Sequence, residues 1–243
     1  MSDKKTVSVI IPMYNEETSC AERIALLLSE MEKMFGSDFE VIVSNDGSTD
    51  RTKEIIESLL PRCQNLRLVS YDDNRGKGSA VREGILASSG DIVFYTDCDL
   101  AYGTEIIGVM AKELMQSDAD AVIGSRNISE DGYEGYTLLR KIASKTYIKL
   151  ICAAAGFCHS DSQCGIKCFV GEKARRVFSL CRINGFAFDL EALMISEHFG
   201  YKITEQAVKI INHSESTSKV HLVRDTFRML RDISVIKKRI AKM

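Results

Sequence analysis

No run of this sequence approaches the 18–20 consecutive apolar residues of a membrane-spanning helix, so any meeting with a membrane is expected at its surface. Neither Gly-x-Gly-x-x-Gly nor Gly-x-x-x-x-Gly-Lys-[Ser/Thr] occurs, which argues against a dinucleotide dehydrogenase and a P-loop ATPase. Charge of one sign is also missing: 32 Lys and Arg face 34 Asp and Glu, a net −2. Without a global positive field, nucleic acid is not an expected partner. The only prolines are Pro12 and Pro61, so no Pro-rich linker divides the chain. No apolar signal region follows Met1, and the eight cysteines are therefore expected to be reduced thiols. Cys164 and Cys168, with His159 nearby, lack the second pair that a zinc site of that type requires.

What is present is ordinary globular composition: 243 residues, 45% hydrophobic and 27% charged, enough to bury one core without covalent staples. The first half alternates short β-rich runs (Val7–Ile11, Phe39–Val43, Leu66–Val69, Asp91–Tyr95, Ala119–Gly124) with segments of helical periodicity. This pattern predicts βαβ units and a mostly parallel sheet flanked by helices. Asp50 or Ser48 is placed to cap the second helix. Beyond residue 125 the pattern changes to a polar loop, a helix over Leu138–Ala155, a strand at Ile166–Val170, two short helices, β-like runs near 201–211, and a long helix over Val220–Ile240. The whole chain, 1–243, reads as a single domain.

In open α/β sheets ligands lie beyond the carboxyl ends of the strands. Four successive strand ends carry polar clusters: Pro12-Met13-Tyr14-Asn15-Glu16-Glu17, Ser44-Asn45-Asp46-Gly47-Ser48-Thr49-Asp50, Asn74-Arg75-Gly76-Lys77-Gly78, and Asp97-Cys98-Asp99. Two carboxylates one residue apart at the mouth of a buried strand suit a hard divalent cation shared with substrate phosphates. Arg75 and Lys77 would add positive charge beside it. The four clusters together point to a nucleoside diphosphate or triphosphate.

Val9-Ile10-Ile11-Pro12-x-Tyr14-Asn15-Glu16, Asn45-Asp46-Gly47-Ser48-Thr49-Asp50 and Asp97-x-Asp99 together resemble the inverting glycosyltransferase family 2, of the Rossmann-like GT-A fold. Further matches extend the resemblance over about residues 6–220: Gly124-Ser125-Arg126, Arg140-Lys141-x-x-Ser144, Asp161 to Lys167, and Phe188-Asp189-x-Glu191. These are similar to the polyprenyl- or dolichyl-phosphate sugar synthases, most of all to the dolichyl-phosphate glucosyltransferase branch. The resemblance implies a nucleotide-sugar half (6–125), an acceptor half (126–218) and a C-terminal helix (219–243). It implies that Pro12, Tyr14 and Glu16 line the nucleoside pocket, with Asp46 on the base and Lys77 nearby. Asp97 would face ribose and metal, and Asp99 would be the main ligand of Mg²⁺ or Mn²⁺. Arg126, Arg140 and Ser144 would hold an acceptor phosphate. One position departs: where the mannose-transferring synthases carry a Gln that completes the metal shell, this chain has Ala101, which weakens a GDP-mannose reading.

The implied reaction is transfer of a hexose, glucose from UDP-glucose, to a polyprenyl phosphate. An acceptor that is already an anion needs cations more than it needs a base, and Arg126 and Arg140 are of the right type. A saccharide or glycolipid hydroxyl would instead need a base, with Asp189 or Glu191 as candidates; Asp189 could equally cap the helix that begins near Leu190. Two basic amphipathic segments, Leu138–Ala155 and Val220–Ile240, read either as membrane-surface elements on a cytoplasmic face or as helices packed on the sheet with a solvated basic side.

Overall fold

The computed structural model describes residues 5–128, 138–157, 159–211 and 222–243, with the side chains of 138–144 and 222–227 outside that description. Seven strands form one sheet in the order β3-β2-β1-β4-β6-β5-β7. They are β1 (Val7–Met13), β2 (Phe39–Asp46), β3 (Leu66–Tyr71), β4 (Ile92–Tyr95), β5 (Ala121–Ser125), β6 (Lys167–Val170) and β7 (Ile203–Ala207). All pairings are parallel except those of β6, which runs antiparallel to both β4 and β5. A strand from the second half of the chain is thus inserted between two strands of the first.

Alternation along each strand assigns its residues to two faces. Val9 and Ile11, Val41 and Val43, and Phe94 point to the face covered by α1 (Cys20–Phe35), α2 (Thr52–Leu59) and α4 (Glu105–Gln116). Ile10, Ile42, Val93 and Tyr95 point to the other face, covered by α3 (Lys77–Ala87), α6 (Gly171–Leu180) and α7 (Phe188–His198). Because both faces are covered, the central strands read as nearly continuous apolar runs rather than as alternating ones.

Two expected helix starts differ in detail. Helix α2 begins at Thr52, after Arg51, yet Asp50 still accepts from Thr52 N (3.0 Å) and Thr52 Oγ1 (2.5 Å). Helix α7 begins at Phe188 after Ala187, and Asp189 makes no capping bond; the capping reading of Asp189 is therefore corrected.

A third apolar cluster joins α5 (Leu138–Ala155) and α8 (Leu222–Ile240) to α7: Ile148, Ile151 and Cys152 pack with Leu190 and Leu193 and with Met229, Ile233 and Ile236. Among the described residues both helices therefore pack through apolar side chains onto α7. Met229, Ile233 and Ile236 of α8 are buried against protein, and undocking them would cost up to about 5–9 kcal/mol at 1.5–3 kcal/mol per side chain. Arg228, Arg231, Lys237 and Lys238 remain exposed, whereas Arg239 turns inward onto Glu191. Among the described residues no helix is long and apolar enough to cross a membrane.

Candidate active site at the strand ends

β1, β2, β3 and β4 are mutually parallel, so the four polar clusters emerge on one edge of the sheet. The turns after β1 and β2 are stitched into a single unit. Asn15 adopts a left-handed backbone (φ 54°); its N–H donates to Ser48 Oγ (3.0 Å), and its Oδ1 accepts from Thr49 N (2.8 Å). Glu16 N donates to Thr52 Oγ1 (2.8 Å), and Arg51 N to Glu17 Oε2 (3.0 Å). Much of the Asn45–Asp50 motif therefore builds the scaffold on which the site rests. Pro12 is half-buried and Tyr14 exposed at this edge, while Glu16 pairs with Arg23 of α1 (3.1 Å).

Asp46, buried at the end of β2, accepts from Tyr71 Oη (2.6 Å), Arg75 N (2.9 Å) and Gly76 N (2.9 Å). It holds the loop that presents Lys77. Gly47 (φ 67°) lies where a Cβ would strike the backbone of Asp72–Asn74, so only glycine permits this approach. Arg75 stacks over the Tyr71 ring at 4.4 Å. Burial first, and the Asp46 carboxylate second, push the Tyr71 phenol well above its ordinary pKa, so it stays a hydrogen-bond donor.

Lys77 is the first residue of α3, and its ammonium sits on Asp97 Oδ1. Burial alone would lower its pKa, but the carboxylates of Asp97 and Asp189, with Asp99 beyond them, outweigh burial and hold it raised. The other oxygen of Asp97, Oδ2, faces Gly165, where a Cβ would collide with it. Asp99 Oδ1 accepts from Ala101 N (3.1 Å). Between the two acids, Cys98 points into the core; burial, and then Glu16, push its thiol up to about 12, so it remains neutral. The backbone of Ile211, beyond β7, closes on this turn by donating to Ala101 O (2.8 Å).

A divalent cation fits this edge in one manner. Asp97 and Asp99 are both half-buried at the strand mouth, but among the described residues no three His, Cys, Asp or Glu side chains gather to hold a metal. Two carboxylates with the remaining positions left to phosphates and water is the arrangement magnesium commonly accepts.

Asp189 does come to the site, from the first turn of α7. Its Oδ1 accepts from Lys167 Nζ (2.7 Å) and Tyr95 Oη (2.6 Å). Burial first, and then the Asp189 charge, raise the Tyr95 pKa well above its ordinary value, which keeps that phenol protonated. Glu191, the alternative base, does not reach the site. It is fully buried, accepts from Arg182 N (2.8 Å) and Ile183 N (2.7 Å), and pairs with Arg239; its assignment as a proton acceptor is corrected to a structural one.

Arg126, expected on the acceptor phosphate, points its fork at buried Asp161: Nε to Oδ2 is 2.6 Å and Nη2 to Oδ1 is 2.9 Å. Arg140 and Ser144 lie on α5, but their side chains are outside the described residues. The sequence reading did not single out Tyr71, Tyr95, Gly165 or Lys167 as individual site residues. Only Lys167 left a local signal, a lone charge in an otherwise apolar strand.

A family model described as "Glycosyl transferase family 2" matches residues 8–169. A dolichyl-phosphate beta-glucosyltransferase of Dictyostelium discoideum is 31% identical over 247 residues, covering 95% of this chain and 73% of that protein. A protein of the same description from Trichomonas vaginalis is 31% identical over 212 residues, 84% of this chain. The chain spans 65% of the length of the latter. In fold it is similar to glucosyl-3-phosphoglycerate synthase from Mycobacterium tuberculosis, solved with Mn²⁺, uridine diphosphate and phosphoglyceric acid: TM-score 0.68 at 19% identity, covering 97% of this chain and 78% of that one. The sheet and its flanking helices are those of the GT-A fold, and the chain belongs to glycosyl transferase family 2.

Proposed function

We propose that this chain is a metal-dependent, inverting glycosyltransferase that moves glucose from UDP-glucose to a polyprenyl or dolichyl phosphate. The observation that carries the choice of acceptor is the state of the two candidate bases. Glu191 is buried in a structural ion pair, and Asp189 has one oxygen already engaged by an ammonium and a phenol. A hydroxyl acceptor must lose a proton, whereas a phosphate monoester is already an anion at neutral pH. Among the described residues, both candidate bases already have a cationic partner, which suits the second. The names of the similar dolichyl-phosphate glucosyltransferases support the same choice.

In this reading Asp99, with Asp97 beside it, holds Mg²⁺ or Mn²⁺. When bound, that cation neutralises the charge developing on the nucleoside diphosphate leaving group. Lys77 supplies a second positive charge beside Asp97 and helps to bring an anionic donor to an acidic edge. Pro12, Tyr14 and Glu16 shape the nucleoside side of the cleft. Asp46 acts on the base side chiefly by fixing the Asn74–Gly76 loop. Arg126 orders Asp161 and the 160–161 turn, so the acceptor phosphate falls mainly to Arg140 and Ser144. The anionic acceptor oxygen attacks the anomeric carbon opposite the leaving diphosphate, inverting its configuration. Contact with a lipid surface is electrostatic, through exposed Arg228, Arg231, Lys237 and Lys238, because Met229, Ile233 and Ile236 of α8 are buried.

Labelled UDP-glucose, Mn²⁺ and a short polyprenyl phosphate test the reading: a β-linked glucosyl lipid is expected, lost on chelation. Binding of UDP-glucose or GDP-mannose with no lipid product from either would overturn it. Arg140→Ala should abolish transfer to lipid phosphate; undiminished transfer in that variant would favour a hydroxyl acceptor.

A further inference from the structure

We propose that Lys167 is a positioning residue for the metal–nucleotide end of the site, a role that rests on the nucleotide-sugar reading above. Its side chain is wholly inaccessible to solvent. Burying an ammonium is costly even when it is paired, and an apolar residue of similar volume is often at least as stable in such a place. A charge at the head of Lys167-Cys168-Phe169-Val170 therefore calls for a purpose other than stability.

The purpose lies in what the ammonium joins. It donates to Cys164 O (2.7 Å) and to Asp189 Oδ1 (2.7 Å), and it lies 5.6 Å from the centre of the Tyr95 ring. Each acceptor leads to Asp97 by a different route. The Cys164 carbonyl immediately precedes Gly165, whose bare Cα packs against Asp97 Oδ2 and whose N–H donates to Tyr102 Oη (3.3 Å). Fixing Cys164 thus fixes the surface on which Asp97 rests. By the second route, the Asp189 carboxylate acts electrostatically on Lys77, whose ammonium holds Asp97 Oδ1. Lys167 thus ties down the segment leading into Gly165, which bounds Oδ2, and the carboxylate of Asp189, whose charge acts on the Lys77 that holds Oδ1.

A methionine at this position would keep the volume but drop both tethers. Asp97 could then rotate, and the site would lose affinity for a metal-bound diphosphate in particular. Outer-shell partners of metal ligands commonly contribute about 10–100-fold to metal affinity.

The test is calorimetric titration of UDP, with and without MnCl₂, into the wild-type chain, Lys167→Met, Asp189→Asn and the double variant Lys167→Met/Asp189→Asn. Thermal melts fix a temperature at which each is folded. Lys167→Met leaves a buried carboxylate without its counter-ion and should melt early, while the double variant removes both charges and should recover much of that loss. The expected result is an affinity for UDP with Mn²⁺ lower by about tenfold or more in Lys167→Met, and still low in the stable double variant. Affinity for UDP alone should change far less. A double variant that binds UDP with Mn²⁺ as the wild type does would reduce Lys167 to a structural ion pair and overturn the inference alone. A wild-type chain that binds no UDP in the presence of Mn²⁺ would overturn the nucleotide-sugar reading, and this inference with it.

Discussion

Replacing Glu191 separates a catalytic carboxylate from a structural one. Helix α6 ends at Leu180, so the N–H groups of Arg182 and Ile183 have no helical partner; both donate to Glu191 Oε2, at 2.8 and 2.7 Å. The other oxygen pairs with Arg239 from the last turns of α8. Glu191→Ala strands two backbone donors, each costing about 1–3 kcal/mol, and removes the counter-ion of Arg239. Breaking a buried pair in this manner costs about 3–5 kcal/mol in total. For a domain of this size each kcal/mol moves the melting temperature by about 2–4 °C, so a fall of roughly 6–20 °C is expected. Glu191→Gln can still accept both N–H bonds through its amide oxygen, but its NH₂ then faces a guanidinium, donor against donor. Its loss should be smaller, about 1–3 kcal/mol. Circular-dichroism melts read the stability, and transfer assayed well below the melting temperature reads the chemistry. The reasoning requires folded Glu191→Gln to keep most of its activity. A Gln variant that melts like the wild type yet has lost transfer would refute it, because a carboxylate whose role is structural cannot lose function without losing stability.

Four further outcomes are expected. Gly165→Ala drives a methyl against Asp97 Oδ2; transfer should drop on the order of 100-fold, as a misplaced catalytic group commonly does, with little change in melting temperature. Wild-type activity in this variant would mean that Asp97 is not held by that wall. Asp99→Asn should lose metal-dependent transfer, and steady-state assays across a Mn²⁺ titration would contradict the assignment if full activity returned. Glu40 supplies a pH test: burial opposes its charge, but hydrogen bonds from Ser8, Ser89 and Arg67 prevail and depress its pKa. A depressed carboxylate pKa stabilises the fold above the unfolded value, about 4.3, and that contribution fades as pH falls through the folded value. The melting-temperature advantage of wild type over Glu40→Gln should therefore be full at pH 7 and shrink below about pH 4.3; an advantage that grows on acidification would reverse the sign of the argument. Finally, co-flotation with anionic liposomes should be seen at low salt and lost at high salt, since the exposed cations of α8 are screened; salt-resistant flotation would point to apolar insertion instead.

The parts of the fold that the sequence made legible are those governed by local rules. Apolar runs of four to eight residues between helical periods gave five parallel strands to within a few residues, because a strand covered on both faces is apolar along most of its length. The strand ends then identified the polar edge, since parallel strands bring all their carboxyl ends to one side. Motif resemblance added the family, and the roles it implied for Asp97, Asp99 and Lys77 fall on residues that the fold brings together. The insertion of β6 between β4 and β5 was not legible, because strand order depends on long-range pairing that no window of sequence contains.

The residue chemistry divides along the same line. The sequence by itself determined the α/β class, the polar edge of the sheet and the acids on it, because these follow from periodicity, spacing and residue type. Only the tertiary structure decided how each charge is used. It turned Glu191 and Arg239 toward each other and set the fork of Arg126 on Asp161. It also placed the ammonium of Lys167 beneath Asp189, and buried Met229, Ile233 and Ile236 of α8 against α5 and α7. Pairing of ions is a matter of a few ångströms between segments far apart in the chain, so a list of acidic and basic residues cannot reveal which of them are already neutralised.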